Sequence, residues 1–184
     1  VSALRNKGIT PSILKDFCSE LGYTQNATAI VPLHKFESVI RNNLNIGAPR
    51  RMIVEDPVLV NIVNYDSSMS NIDKPVYPHI KTINDTFSSY LGSKIYIDSD
   101  DFRTENVNKK YKRFAPGRVV RIKYGGLIKY LNHNVDDQGK VTEINVERFE
   151  EGSIDDKIYG TIHWVSYPND RSKEEHTLKC IYYE

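Results

Sequence analysis

The sequence predicts a mainly β protein with a small α-helical part at its N-terminus. Apolar residues recur at helical spacing between residues 11 and 43, whereas from Arg50 onward short runs rich in Val, Ile and Tyr alternate with turn residues. No helical pattern separates those runs, so the strands belong to a barrel or sandwich and not to a parallel βαβ sheet. With 184 residues, 39% of them hydrophobic, and a mean hydropathy of −0.50, the chain suffices for one domain or two small ones.

Taken in order, "SALRNKG" reads as the end of a helix. Thr10 is the expected N-cap of the next helix, with Pro11 at its first position. Ile13, Leu14, Phe17, Cys18 and Leu21 then form one apolar stripe, and Gly22 stops it. A second helix is predicted from about Pro32 to Asn43, with Leu33, Phe36 and Ile40 facing inward. Both stripes have the pattern of core faces, not of a cofactor site. The strand runs are "RMIVEDPVLVNIVNY", "SKIYID", "RVVRIKY", "LIKYLNHNV", "KVTEINVERF", "YGTIHWVS" and "HTLKCIYY". "DDQG" at 136–139 is a hairpin turn with Gly139 at positive φ, and Asp66–Tyr77 is read as a long polar connection.

Several function classes find no support. No stretch of about 18 apolar residues exists, and the first ten residues hold no signal-peptide core, so a cytoplasmic protein without a membrane span is expected. Asn26-Ala27-Thr28 and Asn84-Asp85-Thr86 fit the glycosylation pattern but are read as chance in that context. Cys18 and Cys180 match no metal-ligand spacing and are expected as free thiols. There is no glycine-rich phosphate loop, and Gly125-Gly126 is a strand-end turn. The five histidines are scattered, and His163 alternates with Ile162 and Trp164 as a strand-face residue would. No nucleophile, base and orienting group can be assembled by spacing, so this chain alone is not expected to be an active enzyme.

Recognition chemistry is present instead. The stretch "NKKYKRFAPGRVVRI", 108–122, holds six Lys or Arg and no acid. Residues 106–135 carry a local charge of +8 in a chain of formal net charge +1, and 136–184 hold twelve acids against six bases. Such a molecule is dipolar, and a polyanion is drawn to one side of it; a solvated Lys-rich surface is the plainer alternative. On the strand at 119–124, Val120, Ile122 and Tyr124 are expected on one face and Val119, Arg121 and Lys123 on the other. Arg121 would then point outward beside Arg118 and the cluster Lys109, Lys110, Lys112 and Arg113. Lysines neutralise phosphates without reading sequence. An arginine fork can read a base edge, and an aromatic such as Tyr111 offers a stacking face. That mixture suits single-stranded RNA loops better than duplex DNA, although aromatics such as Tyr111 and Phe114 are each more often core than stacking residues.

At this point the segments resemble a known family. "IYIDSDDFR", "NKKYKRFAPGRVVRI" and "GTIHWVS", in that order, are similar to the anticodon-binding region of glutaminyl-tRNA synthetases. "GITPSILKDFCSELGYT" and "LNIGAPRRMIVEDPV" are similar to that family's helical subdomain and following junction. The resemblance covers essentially the whole chain. Glutamyl-tRNA synthetases of the same architecture share the Ala-Pro-Arg junction but fit "HWVS" and "FAPG" less well. A free-standing RNA-binding module with a ribosomal-protein-like barrel is the alternative from another class.

The resemblance implies a helical subdomain at 1–47, the first part of a proximal anticodon-binding barrel at 48–107, and a distal barrel at 108–184, both barrels being Greek-key and ribosomal-protein-like. It implies that the family's two ATP-binding signatures, which do not occur here, belong to a longer parent enzyme. That parent would ligate glutamine to its tRNA with ATP and Mg²⁺ in translation, while this part needs no cofactor and takes the glutamine tRNA as partner. Among site residues it implies that Arg50 reads the central anticodon base, Arg113 the third and Arg121 the first. Lys110 stands where bacterial members carry a glutamine that helps with the central base, and Lys has no acceptor to replace it. Asn45 lies near a position that touches the anticodon loop. Lys109, Lys112 and Arg118 are expected on RNA phosphates. For each arginine a surface salt bridge is the alternative reading.

Overall fold

The structure, a computed structural model, describes residues 2–22, 30–67, 71–105 and 110–167. The chain divides into two compact units, Val1–Arg50 with Pro75–Asp85, and Arg51–Lys74 with Thr86–Glu184.

The first unit holds helices α1 (Ser2–Asn6), α2 (Pro11–Leu21) and α3 (Leu33–Gly47). The local signals behave as their chemistry requires. Thr10 sits extended and its hydroxyl accepts the Ile13 amide at 3.4 Å, capping α2 ahead of Pro11. Buried Ile9, Ile13 and Val39 form the core, with Phe17 against Phe36 at 4.7 Å between ring centres. This seam is narrower than the expected stripes. Cys18 and Leu21 of α2 are exposed, as is Leu33 in the first turn of α3, because only Ile13, Leu14 and Phe17 face α3's Phe36, Val39 and Ile40. Helix α3 also runs one turn beyond Asn43, since Leu44 extends the spacing of Phe36 and Ile40 and packs on the same core.

The second unit is built on a curled, half-barrel sheet of seven strands in the order β8-β5-β6-β7-β1-β4-β9. They are β1 (Pro57–Ile62), β4 (Lys94–Asp98), β5 (Val119–Ile122), β6 (Gly126–Val135), β7 (Val141–Phe149), β8 (Ile158–Ile162) and β9 (Val165–Ser166). Strands β2 (Asn71–Pro75) and β3 (Thr86–Tyr90) make a separate two-stranded ribbon. The mainly β class with N-terminal helices is thus present. Alternate residues Val58, Val60 and Ile62 of β1, Ile95 and Ile97 of β4, and Ile144 and Val146 of β7 turn to one core with Phe114, Ile122 and Trp164. Strand β1 pairs parallel with β7, so strands from either side of residue 107 share one sheet.

Some expectations need correction. The connection read at Asp66–Tyr77 contains β2, and β3 was not foreseen. Both ribbon strands expose one face and bury at most one residue, so neither shows a hydrophobic run. "YGTIHWVS" is not one strand but β8 and β9, interrupted where Trp164 turns fully inward and its indole N–H donates to the Lys123 carbonyl at 2.8 Å. The "DDQG" turn is as expected, with Gly139 at φ 79° and the Asp136 amide donating to the Lys140 carbonyl at 2.9 Å. "HTLKCIYY", with Cys180, lies outside the described residues; Cys18 is a free thiol.

Candidate nucleic-acid interface

In the second unit the basic stretch is pinned at its aromatic centre. Phe114 is fully buried and bridges in parallel to Phe102. The Arg103 amide donates to the Phe114 carbonyl at 3.1 Å and the Phe114 amide to the Asp101 carbonyl at 3.0 Å. These bonds hold residues 111–113 beside the 3₁₀ turn Ser99–Asp101. From the other side β8 passes so close that a Cβ on Gly160 would stand 2.0 Å from the Lys112 carbonyl oxygen. Only glycine permits that approach.

Arg113 projects from this loop with its side chain 51% exposed, and one guanidinium nitrogen is ion-paired with the buried carboxylate of Asp101. Arg121, on β5, pairs through Nε with Glu151 at 2.6 Å and remains 37% exposed. Each fork therefore has one edge fixed by a carboxylate and further N–H donors to offer. Lys110 and Lys112 are exposed; Lys109 lies outside the described residues.

The surface placement expected for Arg118 is corrected. It is 4% exposed, its Nη1 donates to the Tyr111 carbonyl, and its guanidinium lies between the rings of Tyr111 at 5.6 Å and Tyr159 at 4.4 Å. A delocalised, weakly hydrated cation tolerates such burial between aromatic faces. Val119 is buried as well, not outward-facing, and Tyr124 leaves the strand altogether, exposed at φ 66° in the turn after Ile122.

Next to Arg113 the unit has a cavity of about 560 Å³. Phe102 and Tyr111 give it aromatic wall, Arg103, Arg113 and His163 give it donors, and Asp101 lies behind Arg113. The volume falls within the range typical of small-molecule sites, about 300–1,000 Å³. Arg103 and His163 were not singled out for recognition from the sequence. Arg103 stands alone after an acidic turn, outside the basic run, and only the fold returns it to Tyr111, its guanidinium 4.6 Å from the ring centre. His163 is held below its ordinary pKa by burial first, then by the charges of Lys123 and Arg113, and so is neutral at physiological pH.

In the first unit the structure brings Asn45 and Arg50 together. Nη2 of Arg50 donates to the Asn45 carbonyl at 2.7 Å and to its Oδ1 at 2.5 Å, across the C-terminal turn of α3. A cation there also meets the negative end of the helix dipole. The Arg50 amide donates to the Val76 carbonyl at 2.7 Å, which fixes the backbone from which the fork projects.

The chain is similar to known proteins over most of its length. The glutamine–tRNA ligase of Tolumonas auensis is 35% identical over 175 residues, which is 92% of this chain and 31% of that protein. The ligase of Haemophilus influenzae is 35% identical over 179 residues, 95% of this chain and 31% of its own length. For that of Escherichia coli O157:H7 the figures are 34% over 171 residues, 90% and 30%. The chain thus spans about a third of the length of the curated relatives it matches. Residues 48–148, which include Arg50, the Arg113 loop and all of β5, match the family described as tRNA synthetases class I (E and Q), anti-codon binding domain. The chain belongs to this anticodon-binding family of class I tRNA synthetases.

Proposed function

We propose that this chain reads the anticodon of the glutamine tRNA, as part of a longer glutamine–tRNA ligase. The observation that carries this is a coincidence of place. The family match at 48–148 falls on the basic stretch whose arginines 113 and 121 are each braced by a carboxylate yet keep part of their donor fork exposed. Among the two amino acids the family serves, glutamine is favoured because the relatives compared above are named for it.

On this reading Arg50, steadied by Asn45, takes the central base, Arg113 the third and Arg121 the first, while Lys110 stands by the central base as a donor only. Lys109 and Lys112 contact phosphates. Arg118, being buried, holds Tyr111 through its carbonyl and does not touch phosphate itself. The finer architecture is a helical subdomain at 1–47, the first part of a proximal Greek-key barrel at 48–107 and a distal, ribosomal-protein-like barrel at 108–184. The end of α3 at Gly47 supports the first boundary, whereas the one sheet that β1 and β4 share with β5–β9 does not separate the two barrels. ATP and Mg²⁺ would serve the parent enzyme in the cytoplasm. Among the described residues no group of three or more His, Cys, Asp or Glu could hold a metal ion.

The test separates reading from anchoring. RNA hairpins bearing the glutamine anticodon, or variants changed at its third base, are titrated against the chain at fixed ionic strength. Arg113→Ala should lose about 1–3 kcal/mol of discrimination, the range for a good bidentate contact in the DNA case. Lys112→Ala should weaken all hairpins alike. Equal losses for every hairpin with Arg113→Ala would make Arg113 a phosphate anchor and reject its reading role.

A further inference from the structure

The cation–aromatic contacts of the second unit form a continuous column. Arg103 lies 4.6 Å from the Tyr111 ring centre, Arg118 5.6 Å from the same ring, and Arg118 again 4.4 Å from Tyr159, which Lys157 closes at 5.1 Å. The inner members are buried or half-buried, whereas Arg103 at one end is exposed and lines the cavity that Arg113 also lines. Contact with the Tyr111 ring limits the rotamers of Arg103, so holding it there costs little further entropy. Arg103 thus brings a flat, cationic group to the lining of that cavity. A planar ring with a negative face is the chemistry it fits, and every nucleobase has a π face.

We infer that Arg103 is a stacking shelf for an unpaired RNA base, and that this base is the one whose edge Arg113 reads. The inference rests on the anticodon-reading role proposed above and adds a residue to it. Face and edge contacts divide the work. Arg103 supplies affinity for any base placed there, and Arg113, steadied by Asp101, supplies the choice among bases. The arrangement also gives the buried Arg118 a purpose, since it donates to the Tyr111 carbonyl and contacts the rings of both Tyr111 and Tyr159.

The experiment uses the 184-residue chain and a short RNA hairpin with the glutamine anticodon, intact or made abasic at one loop position at a time. Arg103→Lys keeps the charge and removes the plane. It should weaken binding of the intact hairpin about three- to tenfold, because Lys keeps a point charge but stacks no plane on the base. That penalty should vanish for the hairpin abasic at the third anticodon position, which is also where the penalty of Arg113→Ala vanishes. Wild-type affinity for Arg103→Lys, an undiminished penalty at every abasic position, or loss of the penalty at another position would each overturn the proposal. If the wild-type chain showed no preference for the glutamine anticodon, the broader reading would fall first and the shelf with it. Should Arg103→Lys alter the thermal midpoint, Tyr111→Leu, which removes the ring behind the shelf, is read against the same abasic series with the same expected pattern.

Discussion

Lys74 carries a charge into the interior of the second unit. It is 1% exposed, and its ammonium sits 3.8 Å from the centre of the Trp164 ring system and 5.9 Å from that of Phe87. Burial pushes its pKa from 10.5 down to about 8, against which the indole face works by favouring the cation. Between those two values the unfolded chain binds the proton that the folded chain has released, so stability rises with pH from about 8 to 10.5 and is lowest, with respect to this group, below 8. Lys74→Met keeps an unbranched stem of similar reach and removes the charge. We expect its thermal midpoint at pH 7 to equal or exceed that of the parent, and the rise between about pH 8 and 10.5 to be absent. A midpoint that falls at pH 7 while the alkaline rise persists would show that the ring contacts outweigh the burial and that the rise has another source. At this scale the sequence is an uneven guide. Phe114 as core and Arg113 at the surface follow from residue type, whereas Arg118 and Lys74 oppose it, because their burial depends on rings far away in sequence.

The elements differ in legibility for a physical reason. A helix cap or a tight turn is decided within four residues, so Thr10, Pro11 and Gly139 announce themselves. Strands with a buried face, such as β1 and β7, show apolar alternation, whereas the β2–β3 ribbon shows none because its only fully buried side chain is a lysine. The parallel β1–β7 pairing is invisible locally, since its partners lie more than eighty residues apart, as the bonds of Asn61 to Glu143 and Asn145 show. The recognition loop is a product of such a nonlocal meeting. Strand β8 presents Gly160 against the Lys112 carbonyl, and a methyl group there would overlap backbone, which cannot rotate aside. Gly160→Ala should therefore destabilise the fold by about 1–3 kcal/mol, the usual cost of overpacking, and shift the 111–113 loop. Urea unfolding gives the first number, and the third-base discrimination conferred by Arg113 gives the second. Unchanged stability together with unchanged discrimination would mean that β8 does not set the loop's position.

Across the whole molecule the charges are sorted, not scarce. The +8 of residues 106–135 is offset to a net +1 by the acids elsewhere, twelve of them after residue 135. Among the described residues, two exposed pairs cross that division: Arg121 with Glu151 and Lys129 with Asp156. Exposed pairs of this kind contribute little to stability, but they set how much positive field is left for a polyanion. With a net charge near zero, long-range attraction beyond a Debye length, about 8 Å at physiological salt, is weak, so binding must draw on the local basic patch. Affinity for the anticodon hairpin should accordingly fall as salt rises, with a log–log slope of about −0.7 for each phosphate neutralised on a single strand. Lys112→Ala should flatten that slope by about one such step and leave base discrimination intact. Glu151→Gln should act oppositely: it frees Arg121 of its carboxylate and removes a negative charge from the patch, so affinity for all hairpins should rise, most at low salt. Titrations of the three proteins between about 50 and 200 mM salt decide the matter, because that interval is where a phosphate-dominated interface loses affinity steeply. A slope near zero for the parent chain would mean that phosphates are not the anchor. Reduced affinity in Glu151→Gln would mean that the carboxylate orients Arg121 for the base more than it competes with RNA for the guanidinium.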